Sequence, residues 1–308
     1  MIFVDHVIGD PLAKFTYRML GFSDAAEIFV FLSGIACGGA YSRKLARDGI
    51  LGLFRSTATR AGRIYFYYAL SSAAMILIFS IAMRRNGLSS YFHAGLYHYF
   101  VVAAQDPFGA LVGALCLISP PPLADILVLY MMLTFIVVPA FLGAGDRYRL
   151  LVFALSGLIW AISQIFSDII LPLTSRWFFN PLAWQFLFVI GLFVGSRNDA
   201  NQAPTLSRYR SIVIATWIVV ISVFLYKLMT ARSGFDIAWL RFDPSAWAGT
   251  KENLSPLRLV HFLSVALLVA IYFRQDNAFL KWRFSLPVIK SGMHSLEVFS
   301  LTMTLDVL

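Results

Sequence analysis

The sequence predicts an all-α integral membrane protein, a bundle of about nine transmembrane helices. The 308 residues are 59% hydrophobic and only 13% charged, whereas a soluble globular domain carries about 25% charged residues. Apolar runs of roughly 17 to 25 residues recur, and this is the length that crosses a hydrocarbon core about 30 Å thick. The runs are continuous rather than alternating, which predicts helices and not barrel strands.

The predicted membrane segments form a single domain that covers residues 1–308. They lie near residues 1–10, 22–41, 62–83, 125–143, 149–171, 181–196, 210–229, 257–273 and 287–307. The first run has no positive segment ahead of it and is closed by Gly9, Asp10 and Pro11, so it resembles the second half of a helix. The last run stops at Leu308 without a flanking charge. We therefore expect a chain shortened at both ends.

The apolar segment 103–120 is interrupted by Gln105, Asp106 and Pro107, and it is either a re-entrant piece or a further span. If it does not span, the predicted cytoplasmic loops hold 14 Lys and Arg residues, against five in the short outer loops. If it did span, the counts would be 7 inside and 12 outside. The positive-inside rule favours the first version. Residue 1 then faces the cytoplasm, and the connections 84–124, 172–180 and 230–256 lie on the outer side.

The net charge of +9 does not indicate a nucleic-acid partner, because the basic residues lie in short segments between apolar runs. They instead predict orientation in the lipid bilayer. Cysteine is limited to Cys37 and Cys116, so the sequence has no disulfide framework and no Cys-rich metal spacing. We expect no metal site.

Ionisable residues inside predicted spans are costly, by about 2.5 to 3.5 kcal/mol each on insertion scales, so each needs a reason. The informative ones are Asp5, His6, Asp10, Asp24, Glu27, Asp125, Arg258, His261, Lys290, His294 and Glu297. Several pairs share a helix face because they are three or four residues apart. These pairs are His6 with Asp10, Asp24 with Glu27, Arg258 with His261, and His294 with Glu297. We expect the polar faces to converge on one functional cavity, rather than to serve helix packing alone.

The sequence contains no GxSxG, no phosphate-binding glycine-rich loop and no HExxH. A catalytic role therefore depends on a lone base in the membrane, for which His is the usual candidate near neutral pH. The alternative is a proton-coupled transporter or flippase for a polar or glycan substrate, in which the same side chains serve proton coupling. A non-catalytic glucan-binding or scaffold protein is a third class.

Residues 21–34 read GFSDAAEIFVFLSG, a stretch that strongly resembles the OpgC family of bacterial inner-membrane proteins. Further matches to that family run along the whole chain. They are IFVDH at 2–6, DILVLY at 125–130, FNPLAWQ at 179–185, LRLVHF at 257–262 and GMHSLEVF at 292–299. The family is described as succinyl-modifying osmoregulated periplasmic glucans, and it is related to the membrane-bound acyltransferase family 3.

The resemblance implies an acyltransferase-3-like fold of about ten spans, so a tenth helix would follow Leu308. In the wider family an Arg, ten intervening residues and a His form the hallmark of the first membrane helix, with the His as catalytic base. His6 matches that His, and the Arg would lie ahead of Met1. Residues 27–34 also resemble a family pattern in which an acidic residue is followed by aromatic and aliphatic residues and then by Ser-Gly. This resemblance adds Glu27 to the candidate site.

The resemblance implies an O-acyltransferase of the bacterial inner membrane, and we expect no bound cofactor. Succinyl-CoA would be the donor on the cytoplasmic side, and a periplasmic glucan the acceptor on the outer side. His6 would accept the hydroxyl proton, which is worth about 100- to 10,000-fold in rate, while Asp10, Glu27 or Asp24 orients its ring. The residues predicted to contact substrate are Arg258, His261, His294 and Glu297. Arg60 and Arg63 are predicted to meet the CoA phosphates, since Arg binds phosphate by bidentate hydrogen bonds. An orientation signal facing anionic lipid is an equal alternative for this basic segment, 43–63.

Overall fold

The computed structural model of the chain describes residues 21–86, 94–166, 178–197, 210–233, 251–272, 287, 290–292 and 294–305. All regular secondary structure in these residues is helical, as the sequence predicted. The helices are α1 (Ala25–Asn86), α2 (Ala94–Gln105), α3 (Pro107–Leu115), α4 (Asp125–Met132), α5 (Val138–Gly143), α6 (Gly145–Ile165), α7 (Pro181–Ser196), α8 (Arg210–Ser233), α9 (Pro256–Tyr272) and α10 (Ser295–Leu305).

Helix α1 contains the predicted spans 22–41 and 62–83 almost entirely, together with the connection expected between them. Its 62 residues are far more than the roughly 20 that cross a bilayer, and Gly49 divides it with a non-helical φ of 67° and ψ of −171°. A positive φ is readily adopted by glycine because it has no Cβ. The basic segment 43–63 is thus helical with one sharp break, and the prediction of a loop there was wrong. Amphipathic pattern alone does not distinguish a short loop from a kinked helix.

The segment 103–120, which was expected not to cross the membrane, contains the end of α2 and the whole of the short helix α3. Asp106 separates them, and its Oδ1 accepts a hydrogen bond of 2.9 Å from the Gly109 amide, which caps α3. Pro107 occupies the first turn of α3, where a missing N–H is tolerated. With 12 and 9 residues, neither helix reaches across a hydrocarbon core.

Four described helical stretches are long and apolar enough to cross a membrane: Ala25–Met83, Asp125–Gly143, Gly145–Ile165 and Arg210–Met229. The second of these joins α4 and α5 through a five-residue π-helix, Leu133–Val137. Three shorter apolar helices, α7, α9 and α10, fall inside or beside the predicted segments 181–196, 257–273 and 287–307. The predicted segment 1–10 lies outside the described residues.

Helices α1 and α7 pack with their backbones in close contact at four glycines. Gly34 and Gly38 on α1 face Gly191 and Gly195 on α7, so each helix carries a glycine pair four residues apart. A methyl group on Gly195 would overlap the carbonyl oxygen of Ile35, and one on Gly34 would overlap that of Phe188. Small residues at this spacing allow membrane helices to approach closely. This contact packs residues 34–38 of α1 against the C-terminal half of α7.

Replacing Gly195 with alanine is expected to destabilise the protein by about 1–3 kcal/mol, because two helix backbones must separate to admit the methyl group. The melting temperature of the purified protein in detergent measures this effect. Gly62→Ala is the matched control, since no atom lies within 4 Å of the added methyl position and alanine favours helix. A Gly195→Ala variant that melts at or above the wild-type temperature would contradict the close contact.

Candidate functional site

The first turn of α1 places two carboxylates side by side. Asp24 precedes the helix, and its Oδ1 accepts a hydrogen bond of 2.9 Å from the Ala26 amide. Glu27 reaches back, so that its Oε2 accepts a hydrogen bond of 2.8 Å from the Asp24 amide. This reciprocal arrangement is a capping box, and it satisfies N–H groups that a helix start leaves without partners. It fixes both carboxylates at the end of the helix.

Arg258, in the first turn of α9, joins these carboxylates from the opposite helix. Its Nε donates to Glu27 Oε1 at 2.7 Å, and its Nη2 lies 2.6 Å from the same oxygen. Nη2 also contacts Asp24 Oδ2 at 3.3 Å. Glu27 is fully buried, so the guanidinium supplies the counter-charge that a buried carboxylate requires. The predicted Asp24/Glu27 face therefore meets the predicted Arg258/His261 face.

Lys251 completes this charged cluster, which consists of Asp24, Glu27, Lys251 and Arg258. Its Nζ lies 2.7 Å from Asp24 Oδ2. Burial raises the pKa of Asp24, which lies one residue before α1, but Lys251, the Ala26 amide and Arg258 together outweigh burial and lower that pKa to about 2. Asp24 is therefore a carboxylate at neutral pH.

The turn that carries Lys251, residues 251–254, is held by side chains from two helices. Trp184 Nε1 donates to the carbonyl oxygens of residues 251 and 252 at 3.1 and 3.0 Å. Gln164 donates to the carbonyl of residue 253 at 2.7 Å, and Trp160 to that of residue 254 at 3.0 Å. Asn180 adds two bonds, through its backbone N–H to residue 252 and its side chain to Asn253. All four carbonyl groups of the turn thus accept hydrogen bonds, which fixes the backbone of Lys251.

His261 lies one turn beyond Arg258 and is almost fully buried. Its Nδ1 is 2.7 Å from Ser23 Oγ, and the Phe22 ring packs edge-on against the imidazole at a centroid distance of 6.4 Å. Gly21 lies directly beside the ring, where any added Cβ would overlap Cε1 and Nε2. The residues at 21–24 thereby fix both the position and the plane of the imidazole.

Gly21→Ala is expected to displace the His261 ring and to break its hydrogen bond with Ser23. If the imidazole contributes to the site, this should lower activity by about 10- to 100-fold, the cost of a displacement near 1 Å at a reacting centre. Gly292→Ala is the matched control, because the described part of the chain places no packing atom within 4 Å of the added methyl position. Both proteins should elute as folded species, and equal activities in the two variants would contradict a role for the His261 position.

The remaining predicted site residues are not part of the charged cluster in the structure. His6 and Asp10 lie outside the described residues. His294 and Glu297 are exposed at the start of α10, and no described hydrogen bond or ion pair links either side chain to the cluster. Asp125 is buried where α4 begins, and its Oδ1 contacts the Ile126 amide at 2.9 Å. No hydrogen bond or ion pair described in the structure joins Asp125 to the charged cluster.

Arg60 and Arg63 have different surroundings although they are three residues apart. The Arg60 guanidinium lies over the Tyr130 ring, 5.9 Å from its centroid, and is close to Tyr41 and Cys37. None of the ion pairs within the described ranges includes Arg60. Arg63 is exposed. The two side chains therefore do not form a single phosphate clamp. Arg60 alone is a cation whose described neighbours are neutral side chains.

Ser23 and Lys251 were not identified as site residues from the sequence. Ser23 stands next to Asp24 in the motif at 21–34, but a serine in an apolar run carries no charge signal. Lys251 follows a long connection, and only the Ser255-Pro256 pair, which is typical of a helix start, could have placed it one turn before α9. Its partner Asp24 is more than 200 residues away, so spacing could not predict the contact.

A family profile described as "OpgC protein" matches residues 1–308, the whole chain. The chain belongs to the OpgC family. No curated protein matches it significantly, and no solved structure does so either.

This OpgC-family chain thus contains a buried charged cluster with a neighbouring imidazole, built where α1 and α9 begin. Within the described ranges, no group of three His, Cys, Asp or Glu side chains is arranged to hold a metal ion. The described side chains of this OpgC-family protein can form hydrogen bonds, stabilise charge and transfer a proton at an imidazole.

Proposed function

We propose that the protein is a membrane-bound O-acyltransferase that transfers a succinyl group from succinyl-CoA to hydroxyl groups of osmoregulated periplasmic glucans. Family membership over the whole chain supports a glucan-modifying transferase. The location proposed for this reaction rests on one observation. It is the ion-pair cluster of Arg258 with Glu27 and Asp24, beside His261. Such a cluster costs energy within a bundle of apolar helices and marks a functional site by default.

The proposed architecture is one acyltransferase-3-like domain of about nine spans in the bacterial inner membrane. Helices α1, α7 and α9 begin close to one another: Asp24 precedes α1, Asn180 precedes α7 and bonds to residues 252 and 253, and Arg258 lies in the first turn of α9. In the topology predicted from the positive-inside rule, these helix starts lie on the outer side. A periplasmic acceptor would therefore reach the cluster directly, whereas the thioester would come from the basic cytoplasmic side.

In the proposed reaction the oxygen of a glucan hydroxyl attacks the thioester carbonyl carbon. His6 accepts the hydroxyl proton as the C–O bond forms. The C–S bond then breaks, and the CoA thiolate leaves with the proton that His6 has held. Asp10, Asp24 or Glu27 would orient the imidazole and stabilise its cation. Arg258, His261, His294 and Glu297 remain proposed substrate contacts. No covalent acyl-enzyme is needed, because the thioester is already activated.

The donor side of the proposal includes the two arginines of the second half of α1. An arginine without an acidic partner in a protein interior suits an anionic ligand, and Arg60 has this character. Arg60→Gln and Arg63→Gln should each raise the KM for succinyl-CoA about 3- to 30-fold, as expected when one charge-assisted hydrogen bond is lost. Folding should be unaffected for exposed Arg63. A donor KM that is unchanged in both variants would remove these residues from the donor site.

The function is tested with membranes that contain the protein, radiolabelled succinyl-CoA and purified periplasmic glucan. Label is expected on the glucan, and it should be released by mild alkali, as an ester requires. Membranes without the protein are the control for background transfer. Glucan that stays unlabelled would contradict acyl transfer, and movement of glucan or acyl donor across vesicles without labelling would support a transporter instead.

A further inference from the structure

Lys251 is the most accessible charged group of the cluster. Its side chain is 27% exposed, compared with 13% for Asp24, 11% for Arg258 and 0% for Glu27. A ligand that approaches from solvent therefore meets Lys251 first. The ammonium group has three N–H donors. Among the residues that the structure describes, it forms one ion pair, with Asp24, and also faces the rings of Phe178 and Phe179, at 5.7 and 5.8 Å from their centroids.

The position of this ammonium is fixed by the rest of the fold. The hydrogen bonds from Trp160, Gln164, Asn180 and Trp184 hold the backbone of residues 251–254 at four consecutive carbonyl groups. Trp184 is itself fully buried. A charged side chain on so constrained a turn is preorganised, and preorganisation is what binding groups require.

The charge of the cluster indicates the kind of ligand. Two carboxylates, Asp24 and Glu27, balance two cations, Arg258 and Lys251, so the cluster has no uncompensated positive charge for an anion. A neutral polyhydroxyl compound is suited to it, because hydroxyl groups accept from an ammonium and donate to a carboxylate. The neighbouring Phe178 ring is 43% exposed. An exposed ring beside a few fixed polar groups is typical of sites for small ligands with an apolar face.

We propose that Lys251 and Phe178 form the subsite that holds the acceptor sugar. Lys251 donates a hydrogen bond to a ring hydroxyl, and Phe178 packs against the C–H face of the pyranose. Asp24 keeps the ammonium in place and offers an oxygen to a second hydroxyl. This assignment rests on the proposed function, since it takes a glucan as acceptor.

Two variants and one control test the subsite in the purified full chain. Lys251→Met removes the ammonium but retains an apolar side chain, and Phe178→Leu removes the ring. Glu252→Gln is the control, because Glu252 is exposed and its described hydrogen bonds use the backbone carbonyl. The dissociation constant for purified osmoregulated periplasmic glucan is measured by calorimetry, and the KM values for glucan and succinyl-CoA by labelled transfer.

Lys251→Met should raise the dissociation constant and the KM for glucan about 10- to 100-fold, the effect of one hydrogen bond to a charged group. Phe178→Leu should raise them about 2- to 10-fold, and Glu252→Gln should leave both within about twofold. The KM for succinyl-CoA should not change. Because Phe178 is 43% exposed, Phe178→Leu is expected to fold, and it keeps the test valid if Lys251→Met does not fold.

Unchanged glucan affinity in the folded variants would overturn the subsite. A rise confined to the KM for succinyl-CoA would also overturn it, by assigning Lys251 to the donor. A wild-type protein that binds glucan but transfers no label, while Lys251→Met binds less, would support the subsite and refute acyl transfer. A wild-type protein that does not bind glucan would refute the subsite itself.

Discussion

Arg258→Met is expected to destabilise the folded protein by about 3–5 kcal/mol. Glu27 is fully buried, and both Nε and Nη2 of Arg258 contact its Oε1. Removing the guanidinium leaves that carboxylate without a counter-charge in an apolar surrounding, and removing one partner of a buried ion pair has this cost. The melting temperature in detergent should fall by several degrees, and little folded protein should be recovered from membranes.

A second substitution distinguishes the loss of the ion pair from the loss of packing as the cause of the lower stability. Adding Glu27→Gln to Arg258→Met removes the orphaned charge, so the double variant should recover a large part of the lost stability. Arg210→Met is the matched control, since Arg210 is exposed at the start of α8. An Arg258→Met protein that melts like the Arg210→Met protein would contradict the cluster.

His6→Ala is expected to reduce acyl transfer by about 100- to 10,000-fold, the contribution of a positioned general base. The residue lies outside the described part of the chain, so the expectation depends on its match to the family hallmark. Transfer rates are measured at saturating succinyl-CoA and glucan. The melting temperature of the variant is measured alongside, so that a loss of rate is distinguished from a loss of folded protein.

His261→Ala and His294→Ala provide the comparison for His6. His261 is buried against Gly21 and Ser23, so its loss should affect both stability and rate. His294 is exposed, and its replacement should leave stability unchanged. If His6→Ala retains full transfer while a folded His261→Ala variant has none, the base is His261 and the family-based assignment is wrong.

The helical class could be predicted from composition and run length, because lipid allows few alternatives to a helix. The predicted segment 181–196 coincides with α7, where Asn180 and Pro181 provide a clear start signal. The path between residues 42 and 61 could not be predicted. Polar residues there were compatible with either a loop or a solvated helix, and a single positive φ at Gly49 decides where the chain turns.

For the site, helical spacing correctly grouped Asp24 with Glu27 and Arg258 with His261, since residues three apart share a face. Which faces meet is decided by tertiary packing, so the exposed positions of His294 and Glu297 could not be foreseen. Lys251 was missed for the same reason. Its role follows from a turn held by tryptophans far away in the sequence, and no local pattern encodes that contact.

The π-helix at Leu133–Val137 determines how the two ends of the helical stretch Asp125–Gly143 are rotated relative to each other. A π-turn holds one residue more than an α-turn, and each residue of an α-helix turns the chain by about 100°. The extra residue thus sets the rotation of Asp125 and Tyr130, which precede the π-helix, relative to Phe141, which follows it. All three residues are buried. Deleting one residue at 133–137 would restore a regular helix and turn Tyr130 away from Arg60, whose guanidinium lies over its ring.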